Sequence, residues 1–286
     1  MIFNVVFPRH LLASKNLAPK KRMGQNFLAD PSTAEMIVRR SGVGPNDVAL
    51  EVGAGLGALS LPLAGAVKRL YAVEKDSDLI GLLSQVFAEN GNENVVLQNA
   101  DIFDVRLSEM AETEKAPLFV FGNLPYNIAS RVIMGLVADR RHVDRAVLML
   151  QREMATRLTA RSGTRDYGRL SVMVQYCARV RRLANVAAHL FYPRPKVGSQ
   201  VIEIDFADAI DEPVVDEGLL EAVVKAAFGR RRKTLKNALA NSELAIDADA
   251  ISRVLSEAGI DPARRAETLS VSEFVALTHA IGRVES

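Results

Sequence analysis

The sequence between residues 48 and 151 alternates short apolar runs with segments of helical period. The runs read VALEVG, RLYAVE, VVLQNA, PLFVFGN and RAVLMLQ. Strands separated by helical segments of this length indicate a mostly parallel sheet with helices on both faces. Asp30-Pro31, an N-cap followed by proline at the first helical position, predicts a helix that runs to about Arg40. This alternation predicts an α/β fold.

The pattern changes after Gln151. We expect helices over about 152–160 and 168–180, followed by two closing strands, RRLANVAA and SQVIEIDF. These strands can pair antiparallel around the loop HLFYPRPKVG and form an edge of the sheet. From about Glu212 onward all the periodicity is helical, which predicts a small all-helical domain.

Three domains are predicted along the chain, with the main boundary in the polar stretch 207–214. Residues 1–19 form an N-terminal extension whose role the sequence does not reveal. Residues 20–210 form the α/β domain, and residues 211–286 form the helical domain.

The charges are separated along the chain. Residues 1–29 carry five basic and no acidic residues, residues 152–182 carry eight against two, and residues 230–236 carry five against none. Residues 45–115 hold twelve acidic residues against five basic ones. A single basic run is often a solvated face, but three such runs indicate a polyanion bound along particular faces.

Cysteine and histidine use argues against a metal centre. Cys177 is the only cysteine, so no internal disulfide and no cysteine-based cluster is expected, and the four histidines show no ligand spacing. No apolar run approaches the roughly 20 residues of a membrane-spanning helix. The apolar patch at the start has no charged region before it, so no secretory signal is expected and the predicted location is the cytoplasm.

A glycine-rich turn, EVGAGLG, follows the first strand and contains Gly53, Gly55 and Gly57. Its GxGxG spacing differs from the GxGxxG of dinucleotide folds and lacks the GK[ST] ending of a P-loop. Glu74 ends the second strand, where it can accept hydrogen bonds from both ribose hydroxyls of a nucleoside, and Asp101 after the third strand suits an adenine amino group. Each feature alone also fits an ordinary turn or a solvated strand end. Together, at one edge of the sheet, they predict a cofactor that contains adenosine.

The tetrapeptide Asn123-Leu124-Pro125-Tyr126 ends the fourth strand and faces the same edge. An adenine amino nitrogen is a poor nucleophile because its lone pair is delocalised into the ring. Two acceptors aimed at its hydrogens, the Asn123 side-chain oxygen and the Leu124 carbonyl, can relieve the positive charge that develops during attack. Pro125 stiffens the turn, and Tyr126 offers a stacking face worth about 1–3 kcal/mol per base. The alternative is a strand-ending turn with a packed tyrosine.

The chain closely resembles the small-subunit ribosomal RNA adenine dimethyltransferases over nearly its whole length. The matching segments occur in the family's order: KKRMGQNFL, EVGAGLG, AVEKD, NADIF, NLPYNI, LMLQREMATRL, YGRLSV and FYPRPKVGS. One departure is Ala54, where the family usually has proline, and we expect it to soften the turn without removing the site. The first 19 residues have no strong family pattern.

The resemblance implies a Rossmann-like class I methyltransferase sheet and S-adenosylmethionine as the cofactor. Asn26 and Leu28 are expected to close over its methionine end, and Phe191 is expected to sandwich the target adenine against Tyr126. The implied cofactor-binding residues are Asn26, Leu28, Gly53, Gly55, Glu74, Asp101 and Asn123. The implied catalytic residues are Asn123, Leu124, Pro125, Tyr126 and Phe191. Within the basic runs, the predicted RNA contacts are Lys20, Lys21, Arg22, Arg152, Arg157, Arg230, Arg231, Arg232 and Lys233.

The implied function is N6,N6-dimethylation of two adjacent adenosines near the 3′ end of 16S rRNA, with a role in 30S subunit biogenesis. The expected partner is 16S rRNA in the immature 30S subunit, bound by a monomer. The hypothesis is direct in-line methyl transfer, without a metal or a covalent intermediate, and Cys177 on an apolar helix fits a core position rather than a nucleophile.

Two alternatives stay open. One is a related enzyme, either a 23S rRNA adenine methyltransferase of the macrolide-resistance type or a DNA adenine methyltransferase, although the latter usually has Pro-Pro in the tetrapeptide. The other is a mainly non-catalytic ribosome assembly factor, whose signature would be degraded cofactor residues.

Overall fold

The structure, a computed structural model, describes residues 7–207, 214–230, 232–244 and 246–285. The described strands are β1 (Phe27–Leu28), β2 (Val48–Val52), β3 (Arg69–Glu74), β4 (Val95–Asn99), β5 (Leu118–Asn123), β6 (Val143–Gln151), β7 (Arg179–Val186), β8 (Phe191–Tyr192) and β9 (Ser199–Asp205). The described α-helices are α1 (Pro8–Ser14), α2 (Pro31–Ser41), α3 (Ser60–Ala64), α4 (Ser77–Glu89), α5 (Leu107–Glu114), α6 (Ala129–Ala138), α7 (Arg152–Leu158), α8 (Arg169–Cys177), α9 (Glu217–Phe228), α10 (Leu235–Ala240), α11 (Ala248–Glu257) and α12 (Val271–Glu285).

The main sheet has seven strands in the order β4-β3-β2-β5-β6-β9-β7. The first five strands in this order, β4, β3, β2, β5 and β6, are parallel to one another, and β9 runs antiparallel to β6. The chain adds β3 and β4 on one side of β2 and then crosses to β5 on the other side. The α/β prediction is confirmed, and β2 and β5 flank the topological switch point, where open α/β sheets bind their ligands.

Two helices begin at aspartate caps, one of which, Asp30, the sequence predicts. The Asp30 carboxylate accepts a hydrogen bond from the Thr33 N–H at 3.0 Å, and Gly42 ends α2 in the left-handed conformation. Asp76 caps α4 in the same way through the N–H of Asp78 at 3.2 Å. The predicted helix 168–180 is shorter than expected, because Ala178 is already extended and β7 begins at Arg179.

A second, two-stranded sheet joins distant parts of the sequence. Strand β1 pairs antiparallel with β8, placing Phe27 opposite Tyr192 and Leu28 opposite Phe191. The N–H of Ala29 extends this ladder by donating to the Leu190 carbonyl at 2.8 Å. The ladder brings the segment before β1 next to Phe191.

The N-terminal extension contributes to an apolar cluster. Residues 1–6 lie outside the described residues, and α1 follows them directly after Phe7. Leu12 of α1 is buried against the apolar side chains Phe27, Leu56, Leu79 and Leu82. The described part of the extension therefore packs against β1, the glycine-rich turn and α4.

The chain divides into two compact units. One holds the chain up to Ala155 together with Val180–Ala207, and the other holds Thr156–Arg179 with the described residues from 214 onward. Segment 156–179, which the sequence interpretation placed in the 20–210 domain, thus groups with the C-terminal helices. The predicted boundary at 210–211 falls in 208–213, outside the described residues. The second unit has an aromatic core in which Tyr167 packs edge-on to Phe228 and Phe228 stacks on Phe274.

None of the described helices combines the length and apolar character that crossing a membrane requires. The same part of the chain contains no group of three or more His, Cys, Asp or Glu side chains placed to hold a metal ion. Cys177 is buried, with its Sγ 3.3 Å from the Met173 carbonyl, in the core position that the sequence predicts.

Candidate functional site

A cavity opens at the carboxyl ends of β2, β3, β5 and β6, within the first unit. It encloses about 1200 Å³ when the part open to solvent is counted. The predicted cofactor-binding and catalytic residues that line it are Asn26, Gly53, Gly55, Glu74, Asp101, Asn123, Leu124, Pro125, Tyr126 and Phe191. Residues predicted to bind the cofactor and residues predicted to bind the target base thus line one cavity.

The glycine-rich turn wraps around the end of β3. The N–H groups of Gly53 and Ala54 both donate to the Val73 carbonyl, at 2.8 and 3.1 Å. Gly53 has a φ of +74°, the left-handed region that glycine adopts without strain. A proline at position 54 has no N–H and could not make the second bond. Ala54 therefore adds a hydrogen bond to the turn instead of merely softening it.

Glu74 is almost fully buried at the end of β3, where it faces the cavity. Its Oε2 accepts the Gly55 N–H at 2.8 Å, and its Oε1 accepts the Asp76 N–H at 2.7 Å. Burial raises the pKa of this carboxyl, and the backbone N–H groups oppose part of the rise. A carboxylate has about four lone-pair sites, so Glu74 retains acceptor capacity for a ligand.

Asp101 lies at the cavity wall beside the end of β4. Its Oδ2 accepts a hydrogen bond from Lys75 Nζ at 2.5 Å, and its Oδ1 accepts the Phe103 N–H at 3.2 Å. The bond from Lys75 is the main cause that lowers the pKa of Asp101, so the side chain is an ionised acceptor at neutral pH. Ile102, which the sequence interpretation did not select, adds an apolar surface to the same wall.

The Asn123 side chain is oriented by the segment before β1. Its Nδ2 donates to the Asn26 backbone carbonyl at 2.8 Å, so the amide nitrogen is engaged on that side. The Oδ1 accepts no hydrogen bond within the described part of the chain, and the residue lines the cavity. The preceding Gly122 has no room for a side chain, because a Cβ there would lie 2.9 Å from the Val52 carbonyl oxygen.

A second acceptor follows Asn123 directly. Leu124 is held by its own N–H, which donates to the Met149 carbonyl at 3.1 Å, and its side chain is buried. The Leu124 carbonyl accepts no hydrogen bond from any described residue. The Pro125 carbonyl accepts the N–H groups of Ile128 and Ala129, each at 3.2 Å, and so starts α6. The turn therefore leaves one backbone acceptor beside Asn123.

Two aromatic rings line the cavity from different elements. Tyr126 follows β5 and is 43% exposed, whereas Phe191 in β8 is only 5% exposed. Leu28, opposite Phe191 in the ladder, is buried in the hydrophobic core and does not line the cavity. Phe27 lines it instead. The structure thus brings Phe191 to the site as expected and places Leu28 behind it.

The segment 20–26 is fastened to the beginning of α4. Lys20 Nζ contacts Asp76 Oδ1 at 2.5 Å and Asp78 Oδ2 at 2.7 Å, and Gln25 Nε2 donates to Asp76 Oδ2 at 2.7 Å. Lys20 was predicted to contact RNA, but its charge is neutralised here by two carboxylates, which gives it a structural role. Gln25 was missed as a site residue, although it belongs to the quoted segment KKRMGQNFL.

The other predicted RNA contacts lie on the surface. Lys21 and Arg22 are exposed and have no side-chain partner in the described part of the chain, and Arg22 also lines the cavity. Arg152 and Arg157 are exposed, and each interacts with another residue. The C-terminal group follows α9, where Arg230, Arg232 and Lys233 are exposed. Arg231 lies outside the described residues.

Further polar residues line the cavity without having been selected from the sequence. Gln151 ends β6 and Ser199 begins β9, so both lie at the same edge of the sheet as Asn123. Their signal was their position at a strand end, the same reasoning that selected Glu74 and Asp101. The antiparallel register of β9 was needed to bring Ser199 to that edge.

Solved structures share this fold. A dimethyladenosine transferase from Plasmodium falciparum superposes with a TM-score of 0.75 at 23% identity, covering 88% of this chain and 95% of the other. The 23S rRNA methyltransferase ErmE superposes with a TM-score of 0.66 at 22% identity, covering 90% and 99%. At these identities the likeness concerns the fold, which is that of a Rossmann-like class I methyltransferase.

Sequence relatives match this chain at higher identity than these solved structures do. The chain is 47% identical to the ribosomal RNA small subunit methyltransferase A of Desulforapulum autotrophicum over 277 residues, 97% of each chain. It is 36% identical to the protein of the same name from Desulfotalea psychrophila over 275 residues, 93% of this chain and 92% of the relative. The sequence pattern of the ribosomal RNA adenine dimethylases matches residues 16–277. By its fold, its cavity and this full-length match, the chain belongs to the ribosomal RNA adenine dimethylase family.

Proposed function

We propose that this protein dimethylates the N6 amino groups of two adjacent adenosines near the 3′ end of 16S rRNA, with S-adenosylmethionine as the methyl donor. The observation that carries the proposal is the orientation of Asn123. Because its Nδ2 is bound to the Asn26 carbonyl, its Oδ1 remains as an acceptor beside the Leu124 carbonyl, in the cavity that also contains Glu74 and Asp101.

The donor side of the cavity fits an adenosine-containing cofactor. Glu74 is a buried carboxyl group with acceptor capacity left for ribose hydroxyls, and Asp101 is an ionised acceptor beside the apolar surface of Ile102. Gly53 allows close approach, since a Cβ at this position would meet nothing within 4 Å and so points into open space. When bound, S-adenosylmethionine supplies an electrophilic methyl group carried on a positively charged sulfur.

The acceptor side fits an adenine that has left its stack. Tyr126 and Phe191 present ring surfaces to the cavity, and the base amine can donate one hydrogen to Asn123 Oδ1 and the other to the Leu124 carbonyl. These two acceptors hold the amine in place and stabilise the positive charge that it gains, which is the main contribution of the chain to the reaction. Leu124, buried and bonded to Met149, keeps its carbonyl fixed.

The small ribosomal subunit is the proposed substrate, in preference to the large one. The relatives that match along nearly the full length, at 36% and 47% identity, are small-subunit methyltransferases. ErmE, named for 23S rRNA, shares the fold at 22% identity. The exposed basic residues Arg230, Arg232 and Lys233 of the second unit offer a surface for RNA phosphates.

The site of action and assembly state complete the proposal. The protein acts as a cytoplasmic monomer on 16S rRNA within the immature 30S subunit, and its action there contributes to subunit biogenesis. An enzyme that must wait for an immature subunit also marks a stage of assembly. A purely non-catalytic factor is disfavoured, because the donor-side acceptors are all present and face the cavity.

The test is methylation of purified undermodified small subunits with tritiated cofactor. Asn123→Ala should lower the rate at least about 100-fold, since one acceptor aimed at developing charge is worth roughly 10²–10³ in rate. Asn46→Ala, at an exposed position before β2, is the matched control and should leave the rate unchanged. Near wild-type methylation by Asn123→Ala would overturn the mechanism.

The substrate is tested with the wild-type enzyme. Small subunits, large subunits and duplex DNA are offered in parallel, and methylation is expected only of small subunits. Preferred methylation of large subunits would support the 23S alternative. A calorimetric titration with S-adenosylmethionine that showed no binding would support the non-catalytic alternative.

A further inference from the structure

The loop between β8 and β9 carries charges that the proposed function does not use. Arg194 and Lys196 are both exposed, and neither has a side-chain partner among the described residues. Val197 beside them is 45% exposed, one of the few large apolar side chains of the described chain that reach solvent to this extent. Cations next to an exposed apolar group suit a nucleotide, which offers a phosphate and a base, better than they suit a small anion.

This loop lies at the mouth of the cavity. Pro195, between the two cations, lines the cavity, and so does Ser199 at the end of the loop. Both ends of the loop are anchored: Phe191 pairs with Leu28 across the two-stranded sheet, and the Gly198 carbonyl accepts the Arg152 N–H at 3.3 Å. The two cations are therefore held at the rim and not on a free strand.

The backbone of the loop is restricted. Pro193 and Pro195 each fix φ, so the residues that flank Arg194 have few alternative conformations. Gly198 packs closely, since a Cβ there would lie 3.2 Å from the Val186 carbonyl oxygen. Such a loop loses little backbone entropy when it binds a ligand.

A second pair of cations belongs to the opposite partner of the two-stranded sheet. Lys21 and Arg22 precede β1, are exposed, and have no side-chain partner in the described part of the chain. Arg22 lines the cavity. The pairing of β1 with β8 thus joins two segments that each bring two unpaired cations towards the same cavity.

The interior of the cavity carries no excess positive charge. Lys75 lines it but is paired with Asp101 at 2.5 Å, and Glu74 places a second carboxyl at the same end of the sheet. Arg22, Arg194 and Lys196 lie at the rim, so a phosphodiester is attracted there, whereas the neutral base can enter. The distribution of charge therefore favours the RNA base inside the cavity and the RNA phosphates at its rim.

We propose that Arg194 and Lys196 on one side, and Lys21 and Arg22 on the other, bind the RNA phosphates that flank the target adenosine. Val197 covers an apolar face of the neighbouring nucleotide. Phosphate contacts position a strand without reading its sequence, so these residues hold the backbone while one base turns into the cavity. This inference rests on the proposed function, because it takes an RNA adenosine as the substrate.

The test compares three double variants: Arg194→Gln with Lys196→Gln, Lys21→Gln with Arg22→Gln, and a control, Arg39→Gln with Lys115→Gln. The control cations are also exposed and have no side-chain partner among the described residues. Arg39 lies in the last turn of α2, near the start of β6, since Arg145 Nη1 donates to the Ser41 carbonyl at 3.0 Å, and Lys115 lies between α5 and β5. Both therefore lie at the opposite edge of the sheet.

The measurement is binding to undermodified small subunits over a range of salt concentrations. Each lost contact with a single-stranded phosphate should reduce the slope of log K against log salt by about 0.7. Both rim variants should thus lose about 1.4 in slope and show a raised KM for subunits, and the control should match wild type. The affinity for S-adenosylmethionine, measured by calorimetry without RNA, should stay within about twofold of wild type in the Arg194/Lys196 variant and in the control.

An unchanged salt slope in the Arg194/Lys196 variant, or an equal loss in the control, would overturn the inference. The single variants Arg194→Gln and Lys196→Gln, each expected to lose half of the effect, serve if the double variant folds poorly. The two proposals fail differently. Wild-type protein that methylates no small subunits contradicts the proposed function, whereas active wild type with unaltered rim variants contradicts only the phosphate contacts.

Discussion

Asn123 donates its side-chain amide nitrogen to the backbone carbonyl of Asn26 at 2.8 Å, across 97 positions of sequence. The bond links the end of β5 to the segment before β1. It also decides which atom of the amide is left for the cavity. A side chain that the sequence identifies only by type thus acquires a fixed orientation from a distant part of the chain.

Asn123→Asp should separate the two functions of this amide. The aspartate keeps an acceptor oxygen but loses the donor to Asn26, and its charge is repelled by that carbonyl. We expect single-turnover rates to fall in the order wild type, Asn123→Asp, Asn123→Ala. Saturating cofactor and excess enzyme isolate this step. A rate for the aspartate variant at or below that of alanine would show that retaining an acceptor oxygen is not sufficient.

Gly122→Ala should disturb the site by displacing the neighbouring residue Asn123. Its added methyl group would lie 2.9 Å from the Val52 carbonyl oxygen and 3.0 Å from Leu124 Cδ2, and both neighbours are buried. Overpacking of this kind costs roughly 1–3 kcal/mol in unfolding free energy and displaces the adjoining Asn123. Urea denaturation and the methylation rate should both report the change.

Gly81→Ala is the matched control for that variant. Gly81 lies on the exposed side of α4, and an added Cβ would meet nothing within 4 Å. Alanine there should stabilise the helix by about 0.5–1 kcal/mol and leave methylation unchanged. Equal losses in both variants would point to a general sensitivity of the fold to added volume.

Asp76→Asn should loosen the segment 20–26. The Asp76 carboxylate is buried and holds both Lys20 and Gln25, so neutralising it weakens two contacts at once. Trypsin cleavage after Lys21 and Arg22 should become at least about fivefold faster as the segment opens more often. Gel analysis of a short digestion time course measures this.

Asp78→Asn serves as the comparison, because its side chain is 50% exposed and contacts only Lys20 in this group. Its effect on cleavage should be clearly smaller. If both variants were cleaved at the wild-type rate, Asp76 would not be the anchor of the segment. Added S-adenosylmethionine should slow cleavage of the wild type, because Asn26 at the end of this segment lines the cavity.

Glu51→Gln should alter stability with pH. Glu51 is buried in β2, and burial, with a smaller contribution from the nearby charge of Glu74, raises its pKa from 4.5 to about 8. Below pH 4.5 the group is protonated in both folded and unfolded chains. Between the two pKa values the unfolded chain is ionised and the folded one is not, so stability is lost at about 1.4 kcal/mol per pH unit.

Glutamine cannot ionise, so the variant should not lose this part of the unfolding free energy. Its stability relative to wild type should therefore increase as pH rises through this window. Urea denaturation at several pH values between 5 and 8 checks the sign. Glu112→Gln, at an exposed position of α5, should follow the wild-type pH profile. A difference between Glu51→Gln and wild type that did not vary with pH would show that Glu51 is ionised when folded.

Much of the fold could be predicted because its local signals agree with its packing. The apolar runs at β2, β3, β5 and β6 are continuous, as buried parallel strands require, and Asp30-Pro31 marks the beginning of α2 by its chemistry. The end of α8 was placed too late because Ala178 and the residues after it have no strong preference of their own. Only the neighbouring strand decides that they are extended.

The site could be predicted as far as each residue follows a strand of known direction. Glu74, Asp101 and Asn123 satisfy that condition, and all three line the cavity. Contacts between distant segments could not be predicted from the sequence. The sequence does not show that Lys20 pairs with Asp76, because the two residues are far apart along the chain. It also does not show the register of β1 against β8, which places Leu28 in the core and not in the cavity.

The ladder between β1 and β8 joins two segments that are synthesised far apart in time. Strand β1 leaves the ribosome early, but its partner at Phe191 is synthesised only after β2 to β7 are complete. Closing so long a loop is slow, because its entropy is lost before the contact is gained. The glycine turn, Glu74 and Asn123 are therefore synthesised before the wall that contains Phe191. The residues that face the nucleoside come first along the chain, and the segment that brings the second aromatic ring comes near the end of the α/β core.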